Sequence, residues 1–413
     1  MLDLVARFFV DSRDFNGISG RRLLESVTGT PDTVAAALRE AIRAGEVTLV
    51  SPADFVNPHV KPWSIPVERQ FEALGKGLLG DSCVYPSAAL IDAAADLSQY
   101  QDRPFSKRLA LGEGQLDAVF FDLSVLEFYS ADPRYYFRWS DYNGSIGLTE
   151  EHHANADPAD DSFLQTFGLG YDDRGERVVV VHLRYLHGLS PEHQQIWNAK
   201  LAKRPCKMVY EYYQNSILAE WAESMSFYSA VLLEMRVINE IATAVGRPHL
   251  FRETFERDRP REFSTFFRPT LRNYEAFVHT LDKMLSENID KAFFRGDVGD
   301  EEQIARNDGT VEVRVRGTLT MLEDWLRTCW KVREPQYPEN IMGALKEVRT
   351  LRQKPAHRIV ANEYDKEYAA KQDALVQRVY LGLRALRLLL QNYPEAKSVK
   401  VPDDLQQGHI KHF

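Results

Sequence analysis

Beyond Cys206, apolar residues recur at three- and four-residue spacing almost without pause, the pattern of helices that each bury one face. Residues 208–245 are rich in apolar and aromatic side chains and are stopped by Gly246-Arg247-Pro248; the length of this stretch predicts two helices or a break near Ser224. A helix is predicted over 273–294. A further one is traced by Val315, Leu319, Leu322, Leu326 and Cys329, and another by Ile341, Ala344, Leu345, Val348 and Leu351. Residues 368–390 carry a stripe of Leu375, Val379, Leu383, Leu386 and Leu390, which reads as bundle core. Between these elements, the acidic, glycine-containing 296–309 reads as a loop and 333–339, with Pro335 and Pro338, as a connector.

Upstream the elements are shorter and mixed. Helices are predicted at 19–25 and 32–44, the second ended by Gly45, followed by a strand at 47–50. Helix, turn, helix, short strand resembles a winged helix. That resemblance implies that the second helix lies in a major groove, with Arg39 and Arg43 available to the phosphates or base edges of DNA. Glu40 and Glu46 dilute its positive face, and winged helices also dock proteins. From about 71 to 206, strands are predicted at 116–121, 134–139 and 177–183, as in an α+β domain. Residues 149–162 hold five carboxylates and no lysine or arginine and read as a solvated, mobile loop; its His152 and His153 could be set with Asp157 as metal ligands, but adjacent histidines on a loop seldom converge, so no metal site is assigned. The expected architecture is multidomain and α-rich: a winged-helix-like unit over 1–66, an α+β middle domain over 67–206, a helical bundle over 207–393 and a loosely attached tail over 394–413.

Composition leaves this picture intact. The 413 residues, 44% hydrophobic and 27% charged, suit a soluble globular protein with proper cores. No apolar run approaches membrane-spanning length and the N-terminus has no leader pattern, so a cytoplasmic protein with no membrane partner is expected. Cys83, Cys206 and Cys329 are too few and too far apart for a disulfide framework or a metal knuckle, and Cys329 is expected in a core. Phosphate-binding loops, dinucleotide fingerprints, nucleophile elbows and zinc-protease motifs are absent, so no cofactor is expected and any use of ATP falls to a partner.

Charge does change the picture at one place. The chain carries a formal net charge of −9, yet Lys346, Arg349, Arg352, Lys354 and Arg358 meet one carboxylate, Glu347, within residues 346–358. Such a cluster suits an anion, and phosphate above all, because a guanidinium presents a planar fork to paired oxygens. Five residues beyond Arg352 stands His357, and an imidazole is the side chain best suited to moving a proton at ordinary pH. On an unbroken helix the two would lie about 140° apart. Pro355 interrupts that helix, so a bend or a second subunit can re-aim them.

Arg352, four residues and His357, set in a helical C-terminal region, resemble the HEPN superfamily, whose hallmark is Arg-x4-6-His. Where that family commonly has Asn, Asp or His after the arginine, this chain has Gln353. A broader likeness over roughly 120–368, including Pro191-Glu-His-Gln-Gln-Ile-Trp197 and Ala356-His-Arg358, is similar to a group of uncharacterised bacterial proteins and names no activity. The HEPN resemblance implies a metal-independent endoribonuclease, acting as a bacterial toxin or anti-phage effector. In it a homodimer forms a composite site, Arg352 and His357 are catalytic, and Lys346, Arg349, Lys354 and Arg358 position the RNA. Family members are held in check by an antitoxin, a sensor domain or an ATPase-type partner, a role for which residues 1–206 are available. The competing expectation is a nucleic-acid-binding or scaffold protein of the same shape without catalysis.

Overall fold

In the computed structural model, which describes residues 1–12, 14–94, 96–154, 156–160, 162–305, 311–330, 337–353 and 361–413, helix predominates and several small sheets accompany it. The described chain forms two units, one of residues Met1–Arg138 and Asn143–Val209, the other of Trp139–Tyr142 and Tyr210–Phe413.

The first unit begins with α1 (Leu2–Asp11), β1 (Ile18–Ser19), α2 (Gly20–Ser26), α3 (Pro31–Arg43), β2 (Val47–Val50), α4 (Val67–Gly75) and β3 (Cys83–Pro86). Thr30 caps α3 by accepting from the Thr33 amide and proline occupies its first turn; Gly45, the stop that the sequence predicts, leaves it at a φ of +70°. The three strands pair antiparallel in the order β1-β3-β2. Val5, Ile18, Leu38, Leu49 and Val84 close a small core beneath them. A domain boundary at residue 66 is therefore corrected: β3, the central strand, lies beyond it, and a cut there would strip β1 and β2 of their shared partner.

The same unit continues through α5 (Ala88–Ala94), α6 (Pro104–Ala110), β4 (Ala118–Asp122), α7 (Val125–Ala131), β5 (Tyr135–Trp139), β6 (Asn143–Leu148), α8 (Glu150–His153), β7 (Phe163–Asp172), β8 (Arg177–His182), α9 (Leu183–His187), α10 (Pro191–Asn198) and β9 (Cys206–Met208). The larger sheet runs β4-β8-β7-β6-β5, and β9 adds to the far end of β7. Strands β6 and β7 were not apparent from the sequence, because glycines dilute their alternation. At Gly170 the reason for glycine is close approach, since a Cβ there would sit 2.6 Å from the Lys207 carbonyl of β9. The acidic stretch before β7 is anchored, contrary to the solvated loop expected of it. Asp160 receives Arg134 Nη1 at 3.0 Å, and Ser190 Oγ donates to the Ala159 carbonyl at 3.0 Å.

Helix α10 supplies the polar heart of this unit. Gln194 is fully buried; its Oε1 accepts the Phe105 and Ser106 amides at 3.1 and 3.2 Å, while its Nε2 donates to Ser106 Oγ and to the His187 and Leu189 carbonyls. One turn on, Trp197 Nε1 donates to Tyr129 Oη at 2.9 Å, and that hydroxyl lies 2.7 Å from His193 Nδ1. The Pro191–Trp197 signature is thus a buried hydrogen-bonding set that joins α6, α7 and α9 to α10, each member satisfying groups that would otherwise be desolvated without partners.

The second unit comprises α11 (Tyr210–Tyr213), β10 (Met225–Ser226), α12 (Phe227–Ala244), α13 (Leu271–Asp282), a hairpin of β11 (Glu301–Ala305) and β12 (Val311–Val315), then α14 (Thr318–Cys329), α15 (Tyr337–Gln353), α16 (Glu367–Leu390), α17 (Asp403–Gln407) and β13 (Ile410–Lys411). α12 and α15 both pack on α16, and α13 and α14 pack on α15. Gly382 permits one of these approaches, as a Cβ there would stand 3.2 Å from the Ile341 carbonyl. All five residues of the α16 stripe are buried. Deep between α12 and α16, Arg387 pairs with Glu234 through two bonds of 2.6 and 3.1 Å, the side chains 3% and 0% exposed. Arg387 therefore adds nothing to the basic surface.

Five expectations are corrected in this unit. The single helix over 273–294 gives way after Asp282 to a π-helical turn (Lys283–Glu287) and a 3-10 turn (Lys291–Phe294). The loop over 296–309 contains β11, and Val315 belongs to β12 rather than to the following helix. Cys329 is exposed, at the last position of α14. The tail is not loose: Ala396, Val401 and Leu405 join the helical core, and β13 pairs parallel with β10. Its apolar residues are too widely spaced to show a helical period, yet each finds a core position.

Burial holds His182, His187 and His193 of the first unit below the usual histidine value, with Arg103 adding to the effect at His187. The unfolded chain therefore binds protons that the folded unit refuses. Stability is predicted to be full above the unfolded value of about 6.5 and to fall as pH drops below it toward the depressed folded values, a decline that urea unfolding at stepped pH will measure. Flat stability across that window would contradict it.

Candidate functional site

The π-helical turn after α13 carries a charged centre that ties α13 to α15. Asp282 ends α13 with no exposed surface, and a bare carboxylate there would be costly. α15 answers it with two arginines one turn apart. Arg349 Nη1 reaches Asp282 Oδ2 at 2.9 Å and Arg352 Nη1 reaches the same oxygen at 2.5 Å, while Ser286 Oγ donates to Oδ1. Arg352 Nη1 also meets Glu287 Oε1, on the π-helical turn, at 2.6 Å. These bonds, to Asp282 first and Glu287 second, raise the guanidinium still further above its ordinary value, so its charge is permanent.

The bonds that Arg352 makes to described residues all leave from Nη1. Among the described residues, Nε and Nη2 have no hydrogen-bond partner, and the side chain retains 28% exposure. One nitrogen thus fixes the plane of the group and the other two donor-bearing nitrogens are left over. A guanidinium held this way loses little freedom on receiving an anion, although Asp282 and Glu287 offset its field.

The remaining basic candidates are distributed among carboxylates that the sequence places far away. Lys346 Nζ pairs with Glu323 of α14 at 2.6 Å, and Arg327 shares that carboxylate, which the Lys346 bond, then the two cations' charges, hold below its usual range. Glu347 takes both Nε and Nη2 of Arg378 from α16. The cationic run of α15 is therefore largely spent on ion pairs between helices. His357, Lys354 and Arg358 lie outside the described residues.

In the first unit, Arg43 of α3 is drawn to Glu40 at 2.6 Å and over the Phe71 ring of α4 at 5.7 Å. Arg39 is exposed, its Nη2 3.9 Å from where a side chain on Gly75 would begin. Both arginines lean toward α4, an element the sequence pattern did not reveal.

One cleft in this unit was missed altogether. A polar cavity of about 420 Å³ lies between the β7–β8 turn, the end of β4 and the segment after α10, with Lys200, Lys203, Arg204 and Arg177 on its walls opposite Asp122 and Asp172. The signal was present in Lys200-Leu-Ala-Lys-Arg-Pro-Cys-Lys207, four cations without a carboxylate. Arg204 is paired with Asp173 at 3.1 Å, so the cleft is of mixed charge. Cys206 at its edge is no nucleophile: burial first, and then Asp172 and Asp173, raise its thiol above the usual range, and Cys83, buried in β3, is pushed up to about 11.

Asp282→Asn keeps the shape but removes the anion that two arginines share. The substitution is expected to cost about 3 kcal/mol, a thermal midpoint about 6–12 °C lower by calorimetry. A midpoint within a degree of the parent would show that Asp282 does not hold α13 to α15.

Comparison of the chain with family models, with curated proteins and with solved structures finds no match.

Proposed function

We propose that this chain is a metal-independent endoribonuclease of HEPN type, a toxin or anti-phage effector that cleaves RNA as a homodimer. The observation that carries the reading is the state of Arg352: oriented through Nη1 by Asp282 and Glu287, with Nε and Nη2 without a partner among the described residues, in the last turn of α15 and five positions before His357 in the sequence. In this scheme His357 takes the proton from a ribose 2′-hydroxyl, whose oxygen attacks the adjacent phosphorus. Arg352 holds the charge that builds on the phosphoryl oxygens, and the 5′-oxygen departs with a proton, leaving a 2′,3′-cyclic phosphate. Lys354, Arg349 and Arg358 hold the backbone, and their contribution weakens with salt.

The order α1, β1, α2, α3, β2, β3 with the sheet order β1-β3-β2 supports a winged-helix-like reading of the N-terminal elements. The 51–82 connection carrying α4, however, replaces a short wing, and the lean of Arg39 and Arg43 toward α4 favours protein docking there over DNA binding. An antitoxin or sensor partner is the fitting occupant.

A second reading, a binding or scaffold protein without catalysis, is favoured by the ion pairs of Lys346, Arg349 and Arg352, which hold α15 to its neighbours and leave little net positive charge. Labelled RNA incubated with the full chain in EDTA separates the two. The first reading expects fragments with cyclic phosphate ends, and a loss of about 100-fold or more in His357→Ala at unchanged melting temperature. A His357→Ala protein as nucleolytic as its parent would remove the catalytic assignment; a mobility shift with no cleavage would favour the second reading.

A further inference from the structure

The β11–β12 hairpin is a two-stranded ribbon, and among the described residues no third strand pairs with either edge. Ribbons of this size are marginal alone in water, and natural edges are usually blunted by proline, lysine or a bulge. β12 has none of these. Its sequence, Val311-Glu-Val-Arg-Val315, places three valines on one face, 57%, 53% and 65% exposed.

Which backbone groups β12 leaves unspent follows from register. Arg316 N donates to the Asp300 carbonyl at 2.8 Å, and Glu302 and Ile304 oppose Arg314 and Glu312. Antiparallel ladders alternate, so residues 312 and 314 turn their amides and carbonyls toward β11, while Val311, Val313 and Val315 turn theirs outward.

We infer that the outer edge of β12 pairs antiparallel with the same edge of a second copy of this chain, about a two-fold axis through Val313. In that register Val313 exchanges both of its bonds with Val313 of the partner subunit, and Val311 and Val315 each exchange theirs with the other's counterpart. Glu312, whose carboxylate lies 3.7 Å from Arg314 Nη2 of its own strand, also stands opposite Arg314 of the partner subunit, twice by symmetry, at the closely spaced non-hydrogen-bonded positions, so that the four side chains form one alternating charge cluster. The strand is a palindrome in shape and a complement in charge. Moving the axis to Glu312 or Arg314 would set like charges face to face and would aim already spent backbone groups at the partner. β11 has no such complement, since its charges, Glu301 and Glu302, share one sign. The product is a four-stranded sheet with two valine stripes side by side.

This pairing goes beyond the ribonuclease proposal and does not need it: a dimer formed at the Arg352–His357 segment would be indifferent to changes at Glu312 and Val313, so those variants distinguish the two. Sedimentation equilibrium of the full chain over about 1–100 μM is expected to show a monomer–dimer equilibrium. Val313→Pro removes an outward amide that β11 does not use, and Glu312→Arg sets arginine against arginine; each is expected to weaken the dimer about tenfold or more. Glu312→Arg combined with Arg314→Glu restores the complement and should return the constant to within about threefold of the parent. If Val313→Pro fails to fold by circular dichroism, the charge swap and its rescue carry the test alone. A monomer throughout, a dimer indifferent to Glu312→Arg, no rescue by the double variant, or open-ended larger species would each overturn the inference.

Discussion

The helical unit is organised around a carboxylate that cannot stand alone. Asp282 has no exposed surface and sits where α13 loosens into a π-helical turn, and it is tolerable there only because Arg349 and Arg352 of α15 share its Oδ2 and Ser286 binds Oδ1. The desolvation of that carboxylate demands cations at one place, and the two arginines sit one turn apart on α15 to supply them. The placement of Arg352, on which any anion chemistry of this segment depends, is thus a by-product of neutralising Asp282.

Charge proximity in sequence and charge proximity in space part company here. Five cations within residues 346–358 read as a patch because helical neighbours were the only neighbours visible. In the folded chain Glu323 of α14, Asp282 of α13 and Glu287 of the turn come to Lys346, Arg349 and Arg352, so that these three cations form bridges. The chain as a whole carries more carboxylates than cations, which gives each of these cations a partner to find. What survives for a ligand is directional rather than electrostatic: two donor-bearing nitrogens on a guanidinium whose plane is already set.

The first unit shows the same principle with neutral groups. His193, Gln194 and Trp197 look like chemistry when read as a string, with an imidazole, a carboxamide and an indole close together. Buried, they are structural: Gln194 satisfies four partner residues and Trp197 satisfies Tyr129, while the hydroxyl of Ser106 and the ring of His187, 2.8 Å apart, lie under that carboxamide with Ser106 wholly buried. The Ser106 hydroxyl is wholly buried and already accepts from the Gln194 carboxamide, so its contact with the partly buried His187 ring is part of the hydrogen-bonded packing and not an accessible nucleophile.

Local signals in the chain settled what local physics governs. Thr30, Pro31 and Gly45 bound α3, the leucine stripe of α16 is buried as its spacing requires, and α15 runs to Gln353 as the apolar period foretold. The break of the long helix at Asp282, the β11–β12 hairpin, the packed tail and the cleft lined by Lys200 and Lys203 were decided only in three dimensions. Each turns on partners distant in sequence: a buried carboxylate needing cations 67 and 70 residues away, strands whose alternation is blurred by glycine and charge, and isolated apolar residues that acquire a purpose when a core is there to receive them. Periodicity reports which face of an element is apolar; it says nothing of what the opposite face will meet, and for this chain that meeting decides which of its cations are free to bind a ligand.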